Sequence, residues 1–222
     1  FEYEPIDTNE QKALGIAKGN LDVDAGDIIT VNFRAENGDL HNTLGMFTVD
    51  ANGNIKMEKV LVKDTETADA TTITAVAPEG AEKVGFFLLR DGAKLNSGVD
   101  LSSGTLNFVY HYGQADARDA KYTDSSSNVT LVHTSANGVT TVLQGAVYFT
   151  SERGDATNMN PNNEVRVVSG TPDGDDTTLT IGFEDKSDKD YNDVLFDVRI
   201  VEKGDCGCGS KDIKDQFTYT LT

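Results

Sequence analysis

The chain has 222 residues, 37% of them hydrophobic, with ten Phe, seven Tyr and no Trp, and its 37 acidic against 19 basic side chains give a formal net charge of −18. That apolar share is enough for a packed core and too high for a disordered chain. The acidic balance excludes nucleic acid and anionic membrane surfaces as partners, since both need a basic face, and no apolar run reaches the ~18 residues that a spanning helix requires.

Phe1-Glu2-Tyr3-Glu4-Pro5 lacks the basic-then-apolar pattern of a signal peptide, and the absence of an initiator Met leads us to expect a piece of a longer chain. Ala13 to Ala17, then Leu21, Val23, Ile28, Ile29, Val31 and Phe33, form short apolar runs broken by Gly19-Asn20 and Ala25-Gly26-Asp27, and read as strands. Asp22, Asp24 and Asp27 between them read as a solvated acidic turn. Leu44 to Val49 and Ile55 to Val62 flank Asp50-Ala51-Asn52-Gly53-Asn54, where Asn-Gly signals a hairpin. Asp50, Asn52 and Asn54 imitate the opening of an EF-hand loop, but the twelfth position is Leu61 and no helix flanks it, so the segment is predicted to be a turn.

Thr-rich Ala70 to Val76 is β-prone, and the continuous apolar run Val84 to Leu89 suits a central strand covered on both faces. Leu106 to Tyr112 alternates, which makes His111 a strand-surface residue. Gly113 to Asn128 is polar and aperiodic, the signature of a long surface loop. Val129 to His133 and Val139 to Leu143 enclose a second hairpin signal, Asn137-Gly138, and Ala146 to Thr150 is a further strand. Ser151 to Glu164 is rich in side-chain oxygens and too polar for a core. Val165 to Val168 and Thr177 to Phe183 are strands on either side of the turn Asp173-Gly174-Asp175-Asp176, and Val194 to Val201 puts Val194, Phe196, Val198 and Ile200 on one face.

Beyond it, Cys206 and Cys208 lie in the tip Gly204-Asp205-Cys206-Gly207-Cys208-Gly209-Ser210, and Phe217 to Leu221 completes a terminal hairpin over 194–222. Two thiols are too few for a structural zinc site, and a disulfide across one residue would be strained, so a loop feature without a catalytic role is expected. Many short strands, repeated turn signals and no long amphipathic helix predict an all-β fold, a β-sandwich of mainly antiparallel strands, in one domain spanning 1–222. A barrel is the alternative.

Chemistry concentrates between the last two predicted core strands. Glu184, Asp185, Asp188, Asp190, Asn192 and Asp193 crowd onto one short loop, where uncompensated carboxylates would repel one another and raise each other's pKa. A hard cation such as Ca2+ relieves that repulsion, because it takes roughly 6–8 oxygens at about 2.3–2.6 Å in irregular geometry. EF-hand numbering from Asp188 would put Asp193 where Gly is needed and Arg199 where Glu is needed, so the loop is a cation site of another kind. Further oxygens are expected from Asn158, Asn160, Asn162 and Asn163, if the preceding strand brings their loop to the same end. Each bound Ca2+ would offset two negative charges of the chain, so stability should depend on calcium.

Enzymatic signals are weak. The imidazoles His41, His111 and His133 accompany no Gly-x-Ser-x-Gly elbow, no His-Glu-x-x-His and no Walker loop. A carboxylate pair for glycoside hydrolysis is the enzymatic alternative, set below the cation because these acids cluster where an ion would occupy them. Phe183 and Tyr191 are expected to pack beneath the loop as scaffold.

Gly182-Phe183-Glu184-Asp185, Asp188, Asp190-Tyr191-Asn192-Asp193 and Val194-Leu195-Phe196-Asp197 together resemble the signature of a domain found near the C-terminal end of giant calcium-dependent RTX adhesins of Gram-negative bacteria. Val84 to Leu89 and Asn107 to Tyr112 also look like that domain, so the resemblance covers roughly the second two-thirds of the chain. It implies a secreted β-sandwich on the bacterial cell surface, a monomeric module of a longer chain, with long loops that hold several Ca2+ ions. Glu184, Asp185, Asp190, Asn192 and Asp193 carry over as ligands, whereas Asp188 stands where the pattern often has glycine. The function expected is non-enzymatic, calcium-dependent binding of a peptide or protein on a host or neighbouring cell, in cell adhesion and biofilm formation. A calcium lectin and a calcium-stiffened spacer are the alternatives.

Overall fold

The computed structural model describes residues 20–150, 159–170, 177–186 and 190–204. Along the chain run β1 (Leu21–Asp22), β2 (Ile28–Glu36), β3 (Thr43–Asp50), β4 (Ile55–Val62), β5 (Thr71–Val76), β6 (Ala81–Leu89), a one-turn helix α1 (Gly92–Leu95), β7 (Thr105–Tyr110) and β8 (Arg118–Asp119). β9 (Val129–Thr134), β10 (Thr140–Val142), β11 (Val147–Phe149), β12 (Val167–Gly170), β13 (Leu179–Phe183) and β14 (Val194–Val201) follow. The fold is all-β and sandwich-like, with antiparallel pairing throughout the three sheets.

One sheet has the order β12-β13-β14-β2-β5, a second β1-β6-β3-β4 with β11 also on β6, and a third β10-β9-β7-β8. The second sheet is the middle layer, and alternation along its strands shows why. Val84, Phe86 and Leu88 of β6 join Leu44 and Met46 of β3 in a core shared with Phe33, Ile181, Phe183, Phe196 and Val198 of the first sheet. Phe87 and Leu89 of β6, with Phe47 and Val49 of β3, point the other way, into a core with Phe108 and Leu131 of the third sheet. A strand buried on both faces reads as an unbroken apolar run, which is the pattern of 84–89.

Both Asn-Gly hairpins form: β3 pairs β4 around Gly53 (φ 76°) and β9 pairs β10 around Gly138 (φ 82°). Two expectations are corrected. His111 lies past the end of β7 in a left-handed conformation (φ 51°), held by Asp116, and is not a strand residue. Asp27 is 2% exposed and not a solvated turn acid; it accepts from the amides of Asp24 and Lys203, which ties the start of β2 to the end of β14. The expected strand at 13–17, the turn at 173–176, the Cys206–Cys208 tip and the strand at 217–221 lie outside the described residues. β14, the first arm of the expected terminal hairpin, is an inner strand between β13 and β2.

Candidate metal centre

Register decides what meets at the site. Phe183 pairs with Val194, so residues 184–193 close the turn between β13 and β14, and Val194 pairs in turn with Glu36 at the end of β2. Thr43 at the start of β3 pairs with Leu89 at the end of β6, and Leu44 pairs with Val62 at the end of β4. The loops after β2, β4, β6 and β13 therefore emerge at one end of the sandwich.

The β13–β14 loop is pinned by contacts its sequence requires. A Cβ at Gly182 would collide with the carbonyl oxygen of Tyr191, so the glycine of Gly-Phe-Glu-Asp is what lets the loop fold back on its own strand. Tyr191 takes φ 54° to make that return. Two arginines hold the backbone from outside: Arg90 Nε donates to the Asp185 carbonyl at 2.8 Å, and Arg166, which lies over the Tyr148 ring at 4.9 Å, donates to the Lys186 carbonyl. The loop carbonyls so engaged leave the carboxylates to turn inward.

Glu184, Asp190 and Asp193 each offer a carboxylate oxygen within 4.8 Å of the others, with Glu184 and Asp193 buried. Asp193 Oδ2 accepts from the Asp185 amide at 2.6 Å, and Glu184 Oε1 accepts from the Lys186 amide at 2.9 Å. Burial, together with the charges of Asp185, Glu184 and Asp190, pushes the Asp193 carboxyl up to about 7, against the hydrogen bond that favours its ionised form. Burial and the Glu184 charge likewise raise the Tyr191 phenol. Carboxylates that raise one another in this way regain their charged form when a cation sits between them. The donor set is all oxygen, the preference of Ca2+ or Mg2+ and not of Zn2+.

The residues expected from the sequence fare differently. Glu184, Asp190 and Asp193 converge as described. Asp185 is 1% exposed, but it faces Glu36 and Asn42, with Asn42 Nδ2 donating to its Oδ2 at 2.5 Å. Asn192 meets the cluster through its backbone amide, which donates to Asp190 Oδ1 at 3.4 Å. Asp188 and Asn158 lie outside the described residues. Asn160 is fully buried, and both ends of its side-chain amide bond the backbone of Phe149, at 2.7 and 3.1 Å, which ties the side chain to β11. Asn162 is exposed in a left-handed conformation within the 3-10 turn Pro161–Asn163, of which Asn163 is the last residue. Phe183 is core, stacked on Phe196 at 6.3 Å, and Tyr191 is half-buried.

Glu36 is the residue that sequence reasoning missed. Its carboxyl is driven up to about 9 by burial and by Asp185, Glu66 and Asp64, with the Asn42 amide opposing. A Cβ built on Gly38 would lie 3.2 Å from Asp185 Oδ2, 3.3 Å from Asp193 Oδ1 and 3.4 Å from Glu36 Oε1, so two acids of the β13–β14 loop and one from the end of β2 converge over a glycine. Comparison of the chain with protein-family models, with curated proteins and with solved structures finds no match in any of the three.

Proposed function

We infer that the protein is a calcium-binding β module whose acidic end serves non-enzymatic, calcium-dependent recognition of a peptide or protein ligand at a bacterial cell surface. The observation that carries the cation is the convergence of Glu184, Asp190 and Asp193 within 4.8 Å, at the mouth of a hairpin whose strands are core. The resemblance of Gly182 to Asp197 to the adhesin domain supports the adhesive role. Glu184, Asp190 and Asp193 would hold the Ca2+, which would supply positive charge for an acidic ligand group that this acidic chain otherwise lacks. The residues themselves fix the loop: Gly182 admits the return of the chain, Arg90 and Arg166 hold its carbonyls, and Asp193 braces Asp185.

A free-peptide panel and a glycan array, each run with Ca2+ and with EGTA, test the reading. Calcium-dependent peptide capture is expected. Calcium-dependent capture of glycans alone makes it a lectin, no binding at all leaves a calcium-stiffened spacer, and calcium-independent binding overturns the mechanism. Hydrolysis of glycosides abolished by Glu184→Gln would overturn the non-enzymatic reading.

A further inference from the structure

We propose a second divalent-cation site beside the first, built by Glu36, Asp185 and Thr65 around Asn42; the proposal rests on the reading that this end of the molecule binds Ca2+. Four buried side-chain oxygens lack a hydrogen-bond partner among the described residues: Glu36 Oε2, Asp185 Oδ1, Thr65 Oγ1 and Ser169 Oγ. The first three belong to residues joined to Asn42. Its Nδ2 donates to Glu36 Oε1 at 3.3 Å and to Asp185 Oδ2 at 2.5 Å, and its carbonyl accepts from the Thr65 amide at 2.9 Å. Asn42 is itself fixed, since its Oδ1 accepts from the Asp91 amide at 2.9 Å.

Buried acceptors without donors are costly to fold. Here two of the three are carboxylate oxygens, Asp185 and Thr65 are each 1% exposed, and Asp64 and Glu66 flank Thr65 closely enough to act on Glu36. His41 is engaged with Asp64 at 3.0 Å. An ion that accepts several oxygens at once resolves the excess in a way one more hydrogen bond does not. The donors are all oxygen and come from a strand end and two loops without regular spacing, which suits Ca2+ better than the octahedral demand of Mg2+. Because the Asp185 amide is bonded to Asp193, the second ion would couple the loops after β2 and β4 to the first site.

Native mass spectrometry of the full chain in calcium-containing buffer, with calorimetric Ca2+ titration, counts the ions. Glu36→Gln is expected to carry one ion fewer than wild type, Asp190→Asn to lose a different one, and the double variant to lose two. Thr65→Val keeps every carboxylate and should weaken only the ion lost by Glu36→Gln, by about tenfold or more, the scale on which even outer-shell partners act. In metal-free buffer Glu36→Gln should melt no lower than wild type, because it removes a carboxyl with a buried oxygen that finds no donor among the described residues. If Glu36→Gln and Thr65→Val keep the wild-type count and affinities, no ion is held by these residues and the proposal is overturned. If only Asp190→Asn leaves the count unchanged, the Glu184–Asp190–Asp193 site fails while the second site stands. If wild type binds no Ca2+, both fall.

Discussion

Two acidic turns of this molecule look alike as strings and differ in how fully their carboxylates find donors. Asp50, Asn52 and Asn54 alternate between β3 and β4, as Asp188, Asp190 and Asn192 do between β13 and β14. In the first turn Asp50 Oδ1 accepts from the amides of Asn52 and Asn54, each at 2.9 Å, and Oδ2 accepts from Asn54 Nδ2 at 2.8 Å. Slight burial pushes the Asp50 carboxyl up, and the Asn54 and Asn52 hydrogen bonds outweigh it, so the group ends below its ordinary value. In the second turn Asp193 is pushed up, and neighbouring Asp185 keeps an oxygen with no donor. The difference is donor supply. Asp193 and Glu184 each accept from one amide of their own loop, but Asp185 Oδ1 finds no donor among the described residues, and on the calcium reading proposed above an ion would make up that deficit.

Calcium removal should break the comparison most visibly. At 100 times its dissociation constant a single bound ion adds about 2.7 kcal/mol, and about 1 kcal/mol moves the melting midpoint of a domain this size by roughly 2–4 °C. Differential scanning calorimetry should therefore show a gap of about 5–10 °C per ion between calcium and EGTA. Asp190→Ala should close most of one such gap while changing little in EGTA, and an equal loss in both conditions would remove Asp190 from the metal centre. Gly182→Ala should act differently, because the Tyr191 carbonyl occupies the space of the new methyl group. A loss of about 1–3 kcal/mol, the usual scale of overpacking, is expected with and without calcium in denaturant titrations.

The pH dependence of the metal-free protein is the third expected effect. Glu36 is raised from 4.5 to about 9 and Asp193 from 3.8 to about 7. For an acid raised on folding, the native state keeps a proton that the unfolded chain has released, so stability falls as pH rises between the two values. Melting midpoints in metal-free buffer should drop from pH 5 towards pH 8, most steeply below pH 7 where both groups contribute. Saturating calcium should flatten the slope, since the ion favours the ionised forms.

The strands were legible because period-two alternation and Asn-Gly turns are local signals, and both hairpins lie where those signals stand. The run Val84–Leu89 also announced a strand covered on both faces, but nothing local says by what, and the third sheet follows only from the pairing of β7 with β9 and the burial of Phe47 and Phe87. At the site, Glu184, Asp190 and Asp193 were readable because they crowd within ten residues. Glu36 and Asn42 were not: each is an ordinary polar residue at a strand end or loop, and only the register Val194–Glu36 and the side-chain amide of Asn42 bring them to Asp185. The burial of Asn160 was not legible either, since an Asn in a polar stretch looks solvated until the backbone of Phe149 claims both ends of it.

The smallest expected effect is the one that isolates the cause. Asp50→Asn keeps the size and one oxygen of the side chain but trades the charged acceptor for an amide, so the bonds from Asn52 and the Asn54 amide survive in weakened form while the Asn54 side chain loses its best partner. Hydrogen bonds to charged groups contribute more than neutral ones, and an exposed turn recovers part of the loss from water. A cost of about 0.5–1 kcal/mol is expected, identical in calcium and in EGTA, with no change in the number of bound ions. If the cost differed between the two conditions, the Asp50 turn would itself hold calcium, and donor supply would no longer separate the two loops.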